Sequence, residues 1–315
     1  MLMLITATQV LSAAERDFPV AASPALADVY PERVTTFARG VRSLADVTYS
    51  VIPGFRPLIL DLYQPAAPGP HPLVIYIHGG GWVGGHTRHS GALENFPEVL
   101  ASLAAEGFVV ASLEYRLAGE APFPAQLQDA RAALRFLRAN AAKYHIDGNH
   151  VGVWGGSAGG HLAALLATTC GDTSFDPAPA AAGNDCVNAV VTWYGVFDFA
   201  AQADRGDGSL SGFLGCKGAC DAAKISRASP VTYMKRSTPP FLLIHGEQDR
   251  TVDVQQSHIA EQRLKGLGVP VESIYLPGVD HSFIGGTPEQ TRIATLRATN
   301  ATFDYFHRML GRKQP

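Results

Sequence analysis

The 315-residue chain lacks any run of the roughly 18 to 20 consecutive apolar residues that a bilayer-crossing helix needs, so no membrane span is expected. It also lacks a long block of either charge. Its 25 basic and 28 acidic residues leave a formal net charge of -3, and the electrostatic footprint of a nucleic-acid or anionic-membrane partner is missing. A small, neutral or mildly polar partner fits better. Charged residues make up only 17% against 46% hydrophobic, which excludes a disordered or collagenous chain and supplies a large core. Cysteine is scarce: none of the four stands in a Cys-x-x-Cys pair and no histidine pair at ligand spacing accompanies them, so no metal is expected. In an exported chain an even number can pair, in three ways. Joining neighbours, Cys170 to Cys186 and Cys216 to Cys220, costs the least geometry; in a reducing compartment all four would be free thiols. Positive charge is missing ahead of Arg16, although the apolar segment 1–14 ends in Ser12-Ala13-Ala14, small residues that suit a signal peptidase. This leaves two readings: a signal segment with a truncated start, which makes the protein secreted or periplasmic, or the frayed N-terminus of a cytoplasmic protein.

Apolar runs are present in number. Residues 46–63 alternate as two strands joined by a Pro53-Gly54 turn. A continuous apolar run at 73–77 has the character of a strand buried on both faces, and others follow at 108–113, 151–154, 187–193, 241–244 and 271–276. Helical patterns separate most of them. In the one over about 124–144, Leu127, Ala130, Leu134, Leu137 and Ala141 form an apolar stripe, with Arg131, Arg135 and Arg138 on other faces. The alternation predicts an α/β fold with a mostly parallel sheet flanked by helices on both faces, a single domain over 46–309. Residues 198–238, rich in Gly, Ser, Cys and Asp, break the rhythm after the sixth expected strand and read as a small insertion over the sheet.

Chemistry concentrates at Val151-Gly152-Val153-Trp154-Gly155-Gly156-Ser157-Ala158-Gly159-Gly160, a strand running into Gly-x-Ser-x-Gly and then a helical pattern. This spacing suits a nucleophile elbow, in which flanking glycines let the backbone close around a strained serine. A serine hydroxyl needs a base, and the base an acid to fix its tautomer, following the serine in the order acid then histidine. Of the eleven histidines, His281 lies in the loop after the 271–276 strand, where a side chain emerges at the functional edge of a parallel sheet. His258 and His307 fall in helical patterns, and His245 ends a strand too early to leave one for the acid. Asp249, in the loop after 241–244, is the candidate acid; Asp253 reads as a helix cap and Asp198 as a loop residue. An oxyanion needs two backbone donors, one from Ala158 and one from the glycine loop of His78-Gly79-Gly80-Gly81-Trp82. A phosphate-binding role is not expected of that loop, since the lysine of a nucleotide-binding P-loop is absent and no Gly-x-Gly-x-x-Gly fingerprint is read in it, and His78 precedes the serine and reads as a loop brace.

Together with Glu114-Tyr115-Arg116, Phe123-Pro124-Ala125, His245-Gly-x-x-Asp249 and His281-x-Phe283, these motifs resemble the α/β-hydrolase esterases over residues 46–309. More narrowly the chain is similar to the bacterial branch near the hormone-sensitive-lipase and BD-FAE-type feruloyl esterase groups. The resemblance implies ester hydrolysis without a cofactor and oxyanion donors at Gly80, Gly81 and Ala158. Gly156 stands where the lipase group usually has Asp, Glu114 and Asp253 depart from related chains, and Trp82 leans to the BD-FAE side. Trp82 either lines an acyl or aryl pocket or simply packs. The expected activity is that of a serine carboxylester hydrolase on short-chain or aromatic esters, acetyl or feruloyl-like, through an acyl-enzyme. A prolyl-oligopeptidase-like peptidase and a non-catalytic binding protein of the same fold are the alternatives.

Overall fold

The apolar runs become strands of one nine-stranded sheet in a computed structural model that describes residues 32–177, 182–202 and 209–311. Segment 1–14, on which the signal reading rests, lies outside the described residues. In chain order the strands are β1 (Arg33–Thr36), β2 (Arg42–Ser50), β3 (Leu58–Gln64), β4 (His71–Ile77), β5 (Val109–Leu113), β6 (Ile146–Gly156), β7 (Ala189–Trp193), β8 (Phe241–Gly246) and β9 (Val271–Leu276). They lie in the order β1-β2-β3-β5-β4-β6-β7-β8-β9. Pairing is antiparallel from β1 to β5 and parallel from β5 through β4 to β9. The expected architecture is therefore present, with one strand more: β1, four exposed residues at the sheet's edge, carries no apolar pattern to announce it. The insertion accordingly follows the seventh strand.

The helices are α1 (Phe96–Ala105), α2 (Ala125–Ala139), α3 (Ala141–Tyr144), α4 (Ala158–Thr168), α5 (Ser209–Leu214), α6 (Ala222–Ala228), α7 (Gln255–Gly266) and α8 (Pro288–Leu310). Strand side chains alternate between faces, so β4 sends Leu73, Ile75 and Ile77 into a core shared with α2, α4, α7 and the insertion. Val74 and Tyr76 point the other way, onto α1 and α8. Both faces are covered, which is why the central strands are apolar without alternation. The helix expected over 124–144 is two helices divided at Asn140, because Ala141 continues the apolar stripe across the break.

Arg131 departs from the sequence expectation more sharply, for its side chain is fully buried. Two carboxylates account for it: Asp176 lies 3.2 Å and Asp185 3.4 Å from the guanidinium, and Arg135 reaches both acids at 2.9 Å. Arg131 also donates to the Asp172 carbonyl at 2.8 Å and to Thr169 Oγ1 at 2.9 Å. The loop supplying both acids and the Asp172 carbonyl is closed by a Cys170–Cys186 disulfide, and Cys216–Cys220 closes a loop between α5 and α6, so both neighbour pairs form. Removing one side of a buried ion cluster strands the other. Arg131→Ala is expected to lose about 3–5 kcal/mol of stability, read as a lowered urea midpoint with an unchanged slope. A loss below about 1 kcal/mol, the range of exposed pairs, would show that the cluster contributes nothing beyond a surface contact.

Candidate active site

β6 delivers Ser157 and α4 begins at the next residue. Ser157 has φ 56° and ψ −121°, a conformation costly for a residue with a side chain and one that lifts its hydroxyl off the end of the sheet. Glycine is required on either side for a steric reason: a Cβ at Gly155 would strike the Gly159 carbonyl, and one at Gly159 would strike the carbonyl of Ile77. The serine N–H donates to the Trp193 carbonyl at 2.8 Å, anchoring the turn to β7.

Adjacent parallel strands bring the other two predicted groups to the same edge. His281 follows β9 and Asp249 follows β8. His281 Nε2 lies 3.0 Å from Ser157 Oγ, and its Nδ1 lies 2.7 Å from Asp249 Oδ2. Asp249 Oδ1 accepts from the N–H groups of Thr251 (2.7 Å) and Val252 (2.8 Å). Asp253 and Asp198 are engaged locally, accepting from the N–H of Gln255 and of Ala200. His258 lies on α7, and the exposed His307 lies on α8 against Glu106.

Two members of this arrangement escaped sequence reasoning. His245, buried at the end of β8, has Nε2 2.9 Å from the Val252 carbonyl and 3.3 Å from Asp249 Oδ2, while Nδ1 lies 2.7 Å from Ser257 Oγ. Its chain position excludes it as the base, yet it braces the acid; its place in the motif His245-Gly-x-x-Asp249 was the available signal. Asp280 Oδ1 accepts one N–H from each loop, Arg250 at 2.8 Å and His281 at 2.7 Å, and so ties the two together. Nothing in the sequence distinguishes it from an ordinary turn aspartate.

The glycine loop follows β4. Gly80 has φ 113° and approaches Gly84 so closely that no side chain fits. Among the described residues the N–H groups of Gly80, Gly81 and Ala158 find no hydrogen-bond acceptor. They line or adjoin a cavity of about 540 Å³ that contains Ser157 and His281. Gly79, Gly81 and Gly84 do stand at Gly-x-Gly-x-x-Gly spacing, against the expectation that this fingerprint is absent; turns follow them and the next helix starts only at Phe96, so the helix a dinucleotide phosphate would require is not there. Trp82 both packs and lines: its ring stacks on Phe213 at 4.5 Å, is 6% exposed, and forms part of the cavity wall. No Lys, Arg, Asp or Glu lines the cavity among the described residues.

Burial by itself would raise the Asp249 carboxyl, but hydrogen bonds from His245 and His281, the His281 charge and the Val252 N–H outweigh it and hold it well below the usual carboxylate range. His78 and His161 are pushed down to about 4, chiefly by burial, with hydrogen bonds to the carbonyls of Gly79 and Ala228 opposing. His78 stacks on Tyr115 at 4.3 Å and is a neutral brace of the loop. Because both folded values lie below the ordinary 6.5, the unfolded chain binds more protons between pH 6.5 and 4, and stability falls as pH drops through that window. At pH 5 each histidine is expected to cost about 2 kcal/mol relative to neutral pH. Urea midpoints at pH 7.5 and 5.0 measure this. Asp249 would contribute only at lower pH, so an unchanged midpoint at pH 5 would mean that these histidines are not desolvated.

A mostly parallel sheet with an antiparallel start, helices on both faces and a serine on a strand-turn-helix at its centre defines the α/β-hydrolase fold. The chain belongs to the BD-FAE family, whose model matches residues 60–264. Esterase LipC of Mycobacterium tuberculosis is 34% identical over 222 residues, covering 68% of this chain and 53% of LipC. The chain spans about half the length of the curated relatives it matches. Among solved structures, the acetyl ester-xyloside bifunctional hydrolase of Caldicellulosiruptor lactoaceticus is 28% identical with a TM-score of 0.69, covering 82% of this chain and 93% of that one. A bifunctional GH43-CE protein of Bacteroides eggerthii is 30% identical with a TM-score of 0.72, covering 85% of this chain and 35% of that one.

Proposed function

We propose that the protein is a serine carboxylester hydrolase acting on short-chain or aromatic esters through an acyl-enzyme, with Ser157 as nucleophile, His281 as base and Asp249 as the acid that orients it. The observation that carries the reading is the hydrogen-bonded sequence from Ser157 Oγ to His281 Nε2 at 3.0 Å and from His281 Nδ1 to Asp249 at 2.7 Å, at the wall of an open cavity. His281 takes the serine proton as Oγ attacks the ester carbonyl, and the oxyanion rests on N–H groups of Ala158 and of Gly80 or Gly81. The proton passes to the leaving alcohol, and water, deprotonated by the same histidine, frees the acid.

Among the described residues the cavity wall carries no Lys, Arg, Asp or Glu and joins Trp82, Val83 and Leu210 to Tyr194, Ser90 and Ser282, which suits a neutral ester with an apolar acyl group and a hydroxylated or aromatic remainder. The similarity to the Caldicellulosiruptor protein, an acetyl ester-xyloside bifunctional hydrolase, points in the same direction. Initial rates on p-nitrophenyl acetate, butyrate and octanoate, with methyl ferulate and an acetylated xyloside alongside, test the reading in the wild type and in Ser157→Ala. Turnover that falls with chain length and drops at least about 10⁴-fold in the variant is expected; a silent wild type or a variant near the wild-type rate overturns it. Two disulfides suit an oxidising compartment, and on that support we propose export from the cytoplasm. Fractionation of the native host with thiol titration of the recovered protein tests this: cytoplasmic protein with free thiols would refute it.

A further inference from the structure

His161 lies on α4, four residues beyond the nucleophile, with no exposed surface. The proton transfers above do not use it, yet both its ring nitrogens are occupied. Nδ1 faces the indole N–H of Trp82 at 3.1 Å, and Nε2 faces the Ala228 carbonyl, at the end of α6, at 2.8 Å. An indole can only donate and a carbonyl only accept, so these partners place the ring proton on Nε2. The rings of Phe199 and Phe213 meet the imidazole edge-on, at 4.9 and 5.6 Å between centroids.

Trp82 directly follows Gly81 and has φ 61°, a left-handed backbone that costs a residue of its size roughly 1–3 kcal/mol. Such a conformation persists only where surrounding contacts over-determine it. The contacts here are the stack on Phe213 and the hydrogen bond to His161, with the Trp82 carbonyl accepting from Ala118 N–H at 2.7 Å. Of these three contacts, the His161 bond is the one that reaches the helix beginning at the nucleophile.

We propose that His161 is a positioning residue: its Nε2–H tautomer ties the Trp82 indole to the Ala228 carbonyl and so holds the N–H groups of Gly80 and Gly81 in register with Ser157. This rests on the oxyanion role given to those glycines. Donors that drift by a fraction of an ångström still admit the substrate but stabilise the transition state less, so the effect falls on kcat and spares KM.

The test uses the full chain, p-nitrophenyl acetate, and four variants: His161→Leu, His161→Asn, Trp82→Phe and the Leu/Phe double. Asn sets a carbonyl oxygen where Nδ1 stands and can still accept from the indole; Leu cannot. His161→Leu and Trp82→Phe are each expected to lower kcat about 10- to 100-fold with KM within about threefold. The double should be no worse than the poorer single, because both cut the same bond. Asn should recover most of the loss. Affinity for a trifluoromethyl ketone, which mimics the tetrahedral species, should fall in parallel with kcat, while the pH profile of kcat/KM stays in place. If His161→Leu does not fold, Trp82→Phe and His161→Asn carry the test. Wild-type kcat in a folded His161→Leu or in Trp82→Phe overturns the proposal, as do additive losses in the double. Failure of the underlying reading would look different: Ser157→Ala would remain active, or the wild type would bind the trifluoromethyl ketone no tighter than its methyl counterpart.

Discussion

Asp249→Asn is expected to lower kcat by about four orders of magnitude while leaving KM and the fold nearly intact. The size of the effect follows from which oxygen each donor holds. Oδ1 receives the N–H groups of Thr251 and Val252, so an asparagine must turn its carbonyl towards them. Its NH2 then occupies the place of Oδ2, facing His281 Nδ1. An amide NH2 cannot accept a hydrogen bond, so Nδ1 must become the acceptor and the imidazole proton moves to Nε2. That is the nitrogen which has to take the proton of Ser157, 3.0 Å away. Steady-state kinetics with p-nitrophenyl acetate, alongside thermal unfolding, check the outcome. A variant within tenfold of wild type would mean that Asp249 orients nothing and that the acid lies elsewhere.

His281→Ala and Ser157→Ala should each remove about 10⁴- to 10⁶-fold of kcat, and the double variant should lose no more than the poorer single. In the proposed mechanism the two groups act in one event, in which the hydroxyl becomes nucleophilic only as its proton leaves, so either removal forfeits the whole step. A residual rate above that of buffer is expected in all three from the N–H groups of the glycine loop and Ala158. Progress curves at high enzyme concentration give the measurement. Additive losses, with the double a further 10³-fold or more below either single, would show that serine and histidine work independently.

These three side chains were legible because the chemistry constrains the sequence itself. A nucleophilic serine needs glycines at close spacing, and acid and base must follow it at successive strand ends, so type and order leave few candidates. The central strands were legible for a related reason, burial on both faces, as in 73–77. Where burial is absent the signal vanishes: β1 is four exposed residues, held by antiparallel pairing to β2 alone. Arg131 misled in the opposite sense, since a charge on a helix reads as solvent-facing until the acids that bury it arrive from 45 and 54 residues further along the chain. His245, Asp280 and His161 act through partners contributed by the fold, and no spacing in the sequence marks such partners. Trp82 was readable as an aromatic beside the glycines, but its choice between packing and lining depended on Phe213, which only the insertion brings near.

β9 forms one margin of the sheet and has a neighbour on one side only, so the histidine that follows it begins from the least restrained strand of the parallel set. The carboxylate of Asp280 changes what that exposure means. With one oxygen gripping the N–H of Arg250 and the N–H of His281, the two loops form a single mechanical body. When the margin frays on heating, the base can part from the acid only once the Asp280 grip on one of the two loops is broken, so losing the histidine requires losing that clasp as well.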